Sequence, residues 1–297
     1  VRDCSTYQLR FTTLSELEFQ NKKYRRAKGK LMDIWQTIIL SVVEGITEFL
    51  PVSSTGHMIL TSSIMKIHDH AFLKTFEIAI QLGAILAIVM LYYKRFMQGI
   101  DIYIKLCMAF IPTAIAGFLA YKTIKTYLFH PLGVSLALIA GGVILILIDN
   151  LVVARKSQYS DLEDISYRHA FFIGLAQCVS MIPGVSRSAA TIIGGVFNGL
   201  DKKQATEFSF LLAVPTMCAA TGYDLLKTDA TFSSHDVKML AIGFVGAFLS
   251  AWLAVKVFVR FVENHGFKGF GYYRIVIGII FILYMVFSGS ASLLEAL

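Results

Sequence analysis

The chain has 297 residues, 56% of them hydrophobic and only 16% charged, with a mean hydropathy of +0.65. A soluble domain of this size is about a quarter charged, so the composition excludes an ordinary soluble domain, and long apolar runs without alternation exclude a β-barrel. The formal charge of +7 is no nucleic-acid footprint, because residues 1–31 contribute +5 of it from eight bases and three acids. The expected class is an all-α polytopic membrane protein.

Residues 1–31 differ in character from the rest of the chain. They are polar, lack the apolar core of a signal peptide and contain the basic run from Lys22 to Lys30. Met32 comes next and an apolar stretch begins, so the natural protein is expected to start at Met32. The extension 1–31 then reads as a mis-called start or a poorly ordered tail, with one membrane domain over 32–297.

A spanning helix needs about 20 mostly apolar residues. Six segments qualify, at 72–93, 101–121, 132–153, 205–226, 237–261 and 272–290. Four shorter apolar pieces, 34–49, 55–67, 167–181 and 188–199, do not reach that length. Each short pair is joined by a polar, turn-rich patch, which predicts two re-entrant hairpins whose tips are buried in protein or line a wet cavity. An offset of 133 aligns Glu44 with Gln177, Val52 with Val185 and Ser53 with Ser186. The order of elements therefore reads as an inverted repeat, about 32–153 and 165–290, in which functional groups meet near the midplane.

Loop charge sets the orientation. One face collects Lys94, Arg95, Lys105, Arg155, Lys156, Arg168, Lys202, Lys203, Arg260, Lys268 and Arg274, and is expected to be cytoplasmic; the other has Lys122, Lys125, Lys227 and Lys238. The isolated Cys4, Cys107, Cys178 and Cys218 suggest neither a disulfide nor zinc. His68, His70, His130, His169, His235 and His265 fall near helix ends and read as interfacial.

The two patches carry the chemistry. Carboxylates, imidazole and guanidinium at membrane depth cost about 2.5–3.5 kcal/mol each on insertion scales. Glu44 and Glu48 share a helix face, spaced to hold a hard divalent cation, orient a histidine or accept a proton. Pro51 ends the first short helix; Ser53, Ser54 and Thr55 then offer hydroxyls and cap oxygens. His57 follows Ser54 by about one turn, so hydroxyl and imidazole can meet as nucleophile and general acid/base. In the second patch a helix starts at Ser186-Arg187-Ser188, where free N–H groups and the Arg187 fork suit phosphate oxygens. Glu77, in the first span, is a candidate supporting group for this set. Together the inventory fits phosphate hydrolysis.

The motifs Glu44-Gly-Ile-Thr-Glu-Phe-Leu-Pro-Val-Ser-Ser-Thr-Gly-His57 and Pro183-Gly-Val-Ser-Arg-Ser188 resemble those of the undecaprenyl pyrophosphate phosphatases, also called bacitracin-resistance proteins. Supporting matches are Thr75 to Gly83, Glu207 to Pro215 and Tyr273-Arg274, so the resemblance runs from Met32 to about Phe287. It implies an integral-membrane hydrolase that converts the C55 lipid diphosphate to the monophosphate and phosphate, recycling the carrier for peptidoglycan and conferring bacitracin resistance. It further implies a divalent cation (Mg²⁺ or Ca²⁺) at Glu44 and Glu48, and a bacterial plasma-membrane location with the site open to the outer face. Ser54 is then the nucleophile, His57 its acid/base partner, Arg187 the phosphate clamp, and Ser53, Thr55, Ser186 and Ser188 polar contacts to the phosphates. Expected partners are the lipid substrate and the membrane, with a homodimer possible and no nucleic acid. One departure is Ala189, where the family pattern has glycine. A helical position would accept alanine, whereas a positive φ there would strain it. The competing readings are a lipid flippase, because inverted repeats with broken helices are transporter anatomy, and the PAP2-type lipid phosphatases, whose later histidine motif has no counterpart here.

Overall fold

The computed structural model describes residues 32–67, 72–127, 130–152, 157–226 and 232–287. The expected extension 1–31 lies outside these residues, as do His68, His70, Arg155, Lys156, Lys227 and the side chains of Lys122 and Lys125. The described residues form helices, turns and loops, with no strand among them. In chain order the helices are α1 (Ile34–Thr47), α2 (Ser54–Ile64), α3 (Leu73–Leu91), the single turn α4 (Tyr93–Phe96), α5 (Ile100–Tyr127), α6 (Pro131–Val152), α7 (Tyr167–Cys178), α8 (Arg187–Phe197), α9 (Lys202–Leu226), α10 (Ser234–His265) and α11 (Lys268–Phe287).

Their starts arise from local chemistry. Asp33 accepts the Gln36 amide at 2.8 Å while the Gln36 side chain accepts the Asp33 amide at 3.0 Å, a reciprocal capping box. Ser166 and Ser233 cap α7 and α10 by accepting the His169 and Asp236 amides. Two caps are unusual. Ser53 and Ser186, which cap α2 and α8, have φ of 69° and 80°. A positive φ is costly for a residue with a Cβ and marks strain held by the surroundings. The strained pair is the pair that the 133-residue offset aligns, so both tips share one backbone design. Ala189 lies inside α8 and only donates its amide to the Ser186 hydroxyl at 3.3 Å. The strain sits on Ser186, and alanine at 189 is a helical residue without penalty.

The expected short hairpins are present as α1–α2 and α7–α8. The first helix of each packs on the middle span of the other half: α1 on α10, and α7 on α5. The third spans α6 and α11 pack on each other, and the first spans α3 and α9 do the same. This pairing brings both hairpin tips to the centre. Five helices, α3, α5, α6, α10 and α11, are long and apolar enough to cross a membrane. The sixth expected span, α9, has the length but not the composition. Its Phe208, Phe210, Leu211, Leu212 and Ala213 are fully enclosed by protein, so this part of the helix is surrounded by other helices, whereas Cys218, Tyr223 and Leu226 further on are exposed. It can therefore carry Glu207, Ser209, Thr216 and Thr221.

Close helix approach depends on glycine at α1–α10. A Cβ on Gly45 would run into the Ser250 hydroxyl and the backbone of Ala247 and Ala251. Gly45→Ala is therefore expected to cost about 1–3 kcal/mol by overpacking, read as a lowered melting temperature in detergent. An unchanged Tm would show that the two helices have slack.

The basic loops meet at one end of the bundle. Arg95 binds Asp161 at 2.8 Å and Glu207 at 3.3 Å, Lys202 binds Asp149 at 2.6 Å, and Lys203 binds Glu263 at 3.1 Å. Asp149 also accepts the Phe267 and Lys268 amides at the start of α11, at 3.1 and 3.3 Å. Two bases counted with this face on sequence do not stand free there. Lys105 is buried against Asp101 and the Glu163 carbonyl. Arg274 is fully buried between the hairpin tips. It is not a loop charge, because its guanidinium finds backbone acceptors in the interior.

Candidate active site

The first tip is the stretch between α1 and α2. Glu48 closes α1, its amide bonded to the Glu44 carbonyl at 2.9 Å. Both carboxylates are buried, Glu44 4% and Glu48 7% exposed, and Glu44 interacts directly with Glu48 and electrostatically with Glu77 of α3. The Ser54 hydroxyl, first in α2, donates to Glu48 Oε2 at 2.5 Å. That short, charge-assisted bond gives the hydroxyl a built-in proton acceptor.

His57 is held from both sides. Its Nδ1 lies 2.8 Å from the Ser53 carbonyl and its Nε2 lies 2.8 Å from the Tyr273 hydroxyl of α11. A carbonyl only accepts, so Nδ1 carries the proton, and in the neutral form of the ring Nε2 is the acceptor for the Tyr273 hydroxyl. The expected Ser54–His57 hydrogen bond is not formed: Ser54 turns to Glu48, and His57 to Tyr273. The physical reason is that Glu48, one residue beyond the end of α1, lies closer to the start of α2 than the imidazole a turn further on.

The second tip delivers Arg187 at the start of α8. Its Nη1 donates to the Ser209 carbonyl at 2.9 Å, its Nη2 reaches Glu48 Oε1 at 3.4 Å, and the guanidinium stands 5.5 Å over the Phe49 ring. Residues 139 apart in sequence thus form one ion pair across the two tips. The Arg187 Nε is buried without a hydrogen-bond partner, and so is the Ser188 hydroxyl. A buried donor left unpaired is expensive, and a bound anion would supply the missing acceptor. The first two amides of each helix, Ser54 and Thr55 in α2 and Arg187 and Ser188 in α8, have no intrahelical acceptor and suit an anion, whereas the Gly56 and Ala189 amides are taken by the caps.

The sequence candidates divide accordingly. Glu44, Glu48, Ser54 and Arg187 form one linked set across the tips. Ser53 and Ser186 act as strained caps, each accepting an amide three residues on, at 3.4 and 3.3 Å. Ser188 is enclosed, whereas Thr55 is exposed. Sequence reasoning missed the roles of Tyr273, Ser209 and Arg274. A Tyr-Arg pair inside an apolar span was the available signal, because an ionisable residue at such a position marks a functional site by default.

Among the described residues no group of three or more His, Cys, Asp and Glu side chains converges as an all-protein metal cage. Two contacting buried carboxylates are still a fitting donor set for Mg²⁺, which is commonly held by one or two carboxylates together with substrate phosphates and water.

The profile of the family described as "Bacitracin resistance protein BacA" matches residues 37–280. Among similar curated proteins, an undecaprenyl-diphosphatase of Wolinella succinogenes is 51% identical over 254 residues, covering 86% of this chain and 99% of that protein. One from Aquifex aeolicus is 49% identical over 258 residues, 86% of this chain and all of the relative. One from Persephonella marina is 51% identical over 255 residues, with the same shares.

Proposed function

The chain belongs to the bacitracin resistance protein family, and from that premise we propose that its two hairpin tips form the site at which undecaprenyl diphosphate is hydrolysed to undecaprenyl phosphate and phosphate. The observation that carries the reading is the Ser54–Glu48–Arg187 chain, which links a nucleophile, its proton acceptor and an anion clamp across both tips.

Arg187 Nε and the uncapped first-turn amides of α2 and α8 hold the terminal phosphoryl oxygens where charge develops. Ser54 Oγ forms a bond to that phosphorus as its proton passes to Glu48, and the bond from phosphorus to the bridging oxygen breaks, releasing undecaprenyl phosphate. Water then attacks the phosphoserine; His57 Nε2 takes its proton, and Glu48 returns a proton to Ser54 Oγ as the serine–phosphorus bond breaks. For His57 to do so, its bond to Tyr273 must open or exchange, which gives Tyr273 the task of orienting the ring. A divalent cation, when bound, would neutralise phosphate charge, with Glu44 and Glu48 as its protein ligands.

The protein is a multi-pass membrane protein. We extend the proposal to the bacterial plasma membrane, with the basic end at the cytoplasm and the site open to the opposite side. The flippase alternative is not favoured, because the relatives are named for diphosphate hydrolysis. The test is phosphate release by purified protein from a C55 or C15 prenyl diphosphate, with and without chelator. Release that a chelator abolishes and Mg²⁺ or Ca²⁺ restores is the expected result. Lipid movement without phosphate release would overturn the reading, and full activity in chelator would remove the cation from it.

A further inference from the structure

We propose that Arg274 is the positioning residue that holds the two hairpin tips in register, by donating every guanidinium hydrogen to backbone carbonyls around the site. The proposal rests on the hydrolase reading of that site. Nη1 donates to the Pro51 carbonyl of the first tip at 3.0 Å and to the Val185 carbonyl of the second at 2.9 Å. Nη2 donates to Gly184 at 2.9 Å, also in the second tip, and to Ala137 of α6 at 3.2 Å. Nε donates to Leu138 of α6 at 3.3 Å. An arginine has five N–H donors in a rigid fork, and all of them are matched. The side chain is fully buried.

Three observations make this more than packing. First, the tips are irregular backbone buried inside the helix bundle, where carbonyls cannot turn to water. Arg274 supplies their donors from a single planar group and so ties one tip to the other. Second, its contacts on both tips closely precede the strained caps Ser53 and Ser186. Such backbone persists only where its surroundings over-determine it, and the helices that these caps open carry Ser54 and Arg187. Third, among the described residues no carboxylate pairs with Arg274. Its positive charge is left to favour an anion between the tips. The neighbouring Tyr273 holds His57 Nε2, so two consecutive residues of α11 set both tips and the imidazole.

Gly141 of α6 is the complement. A Cβ there would press on the Arg274 guanidinium carbon, so glycine leaves the space in which the fork lies flat.

The experiment compares Arg274→Lys, Arg274→Met, Gly141→Ala and Ser54→Ala in detergent, with farnesyl diphosphate as the probe, measuring kcat, KM and the melting temperature. Lysine keeps the charge but has three donors on one atom and cannot span five carbonyls. Both Arg274 variants are expected to lose about 100-fold in kcat, the scale of a misplacement of about 1 Å, and to raise KM about tenfold, because both tips hold the phosphates. Gly141→Ala keeps the arginine and pushes it, with an expected loss of about tenfold in kcat. A merely structural role lowers the folded fraction and hence Vmax while KM stays put. That pattern, or Arg274→Lys within about threefold of wild type, overturns the proposal. Should the Arg274 variants fail to fold, Gly141→Ala decides: lost turnover with a raised KM supports it, and wild-type kinetics overturn it. Ser54→Ala separates the two layers. If it is active, the site reading itself fails, and this proposal with it; if it is inactive beside an active Arg274→Lys, only the role of Arg274 fails.

Discussion

Ser54→Ala is expected to lower kcat by about 10⁴-fold or more while leaving KM within a few-fold, the pattern of a lost covalent nucleophile. The substitution removes one oxygen from a part-buried position that donates at 2.5 Å to Glu48. The neighbouring hydroxyls are placed otherwise. The Ser53 oxygen is already the acceptor for the Gly56 amide, and Thr55 faces outward, so neither can step in without unwinding the start of α2. The anion clamp is untouched by the change, since Arg187 is anchored to Ser209 and Glu48 and not to Ser54. That is why binding is expected to survive and turnover is not. Steady-state kinetics on a prenyl diphosphate check this. A variant within tenfold of wild-type kcat would overturn the assignment of the reaction to these two tips.

Removing Arg187 is the second large effect. Arg187→Ala deletes the clamp and leaves Glu48, 7% exposed, without the cation across the tips. Losing a preformed donor to developing charge costs about 10²–10³ in kcat. Breaking a buried ion pair from one side costs about 3–5 kcal/mol of stability; the 3.4 Å separation places this pair at the lower end. Arg187→Lys separates the two contributions. Lysine restores a charge near Glu48 and much of the stability, but it cannot bind Ser209, Glu48 and a phosphate together, as the planar fork does. The expected order in melting temperature is wild type, Lys, Ala, with both variants at least about 100-fold down in kcat. A lysine variant of near-normal activity would mean that Arg187 acts only as a counter-ion.

Much of this was legible in sequence because the membrane makes the code strict. Apolar runs must be about 20 residues to span, so the shorter pieces at 34–49 and 188–199 stood out as hairpin arms beside polar tips that lipid would reject. The observed bounds of α3, α5 and α6 fall within a few residues of expectation, except that α5 runs on to Tyr127. The span at 205–226 was legible as a helix, but its place at the centre of the bundle was not. That depends on the helices packed around α9.

The same limit explains the site. Residue types and spacing named Glu44, Glu48, Ser54, His57 and Arg187, because each is too costly in a membrane to be idle. Spacing alone paired Ser54 with His57, since it speaks only of neighbours on one helix. The fold pairs Ser54 with Glu48 across the turn, and His57 with Tyr273, 216 residues away. Arg274 is the clearest case. On sequence it counted as one more basic residue for the cytoplasmic face; in the folded chain its partners are carbonyls from three separate segments. A carbonyl belongs to every residue and carries no signature in the amino-acid code. The sequence therefore determined the lipid-facing helices, the two tips and the chemical inventory, whereas which proton acceptor serves which group, and what holds the tips together, were decided by backbone atoms that only the tertiary structure brings into reach.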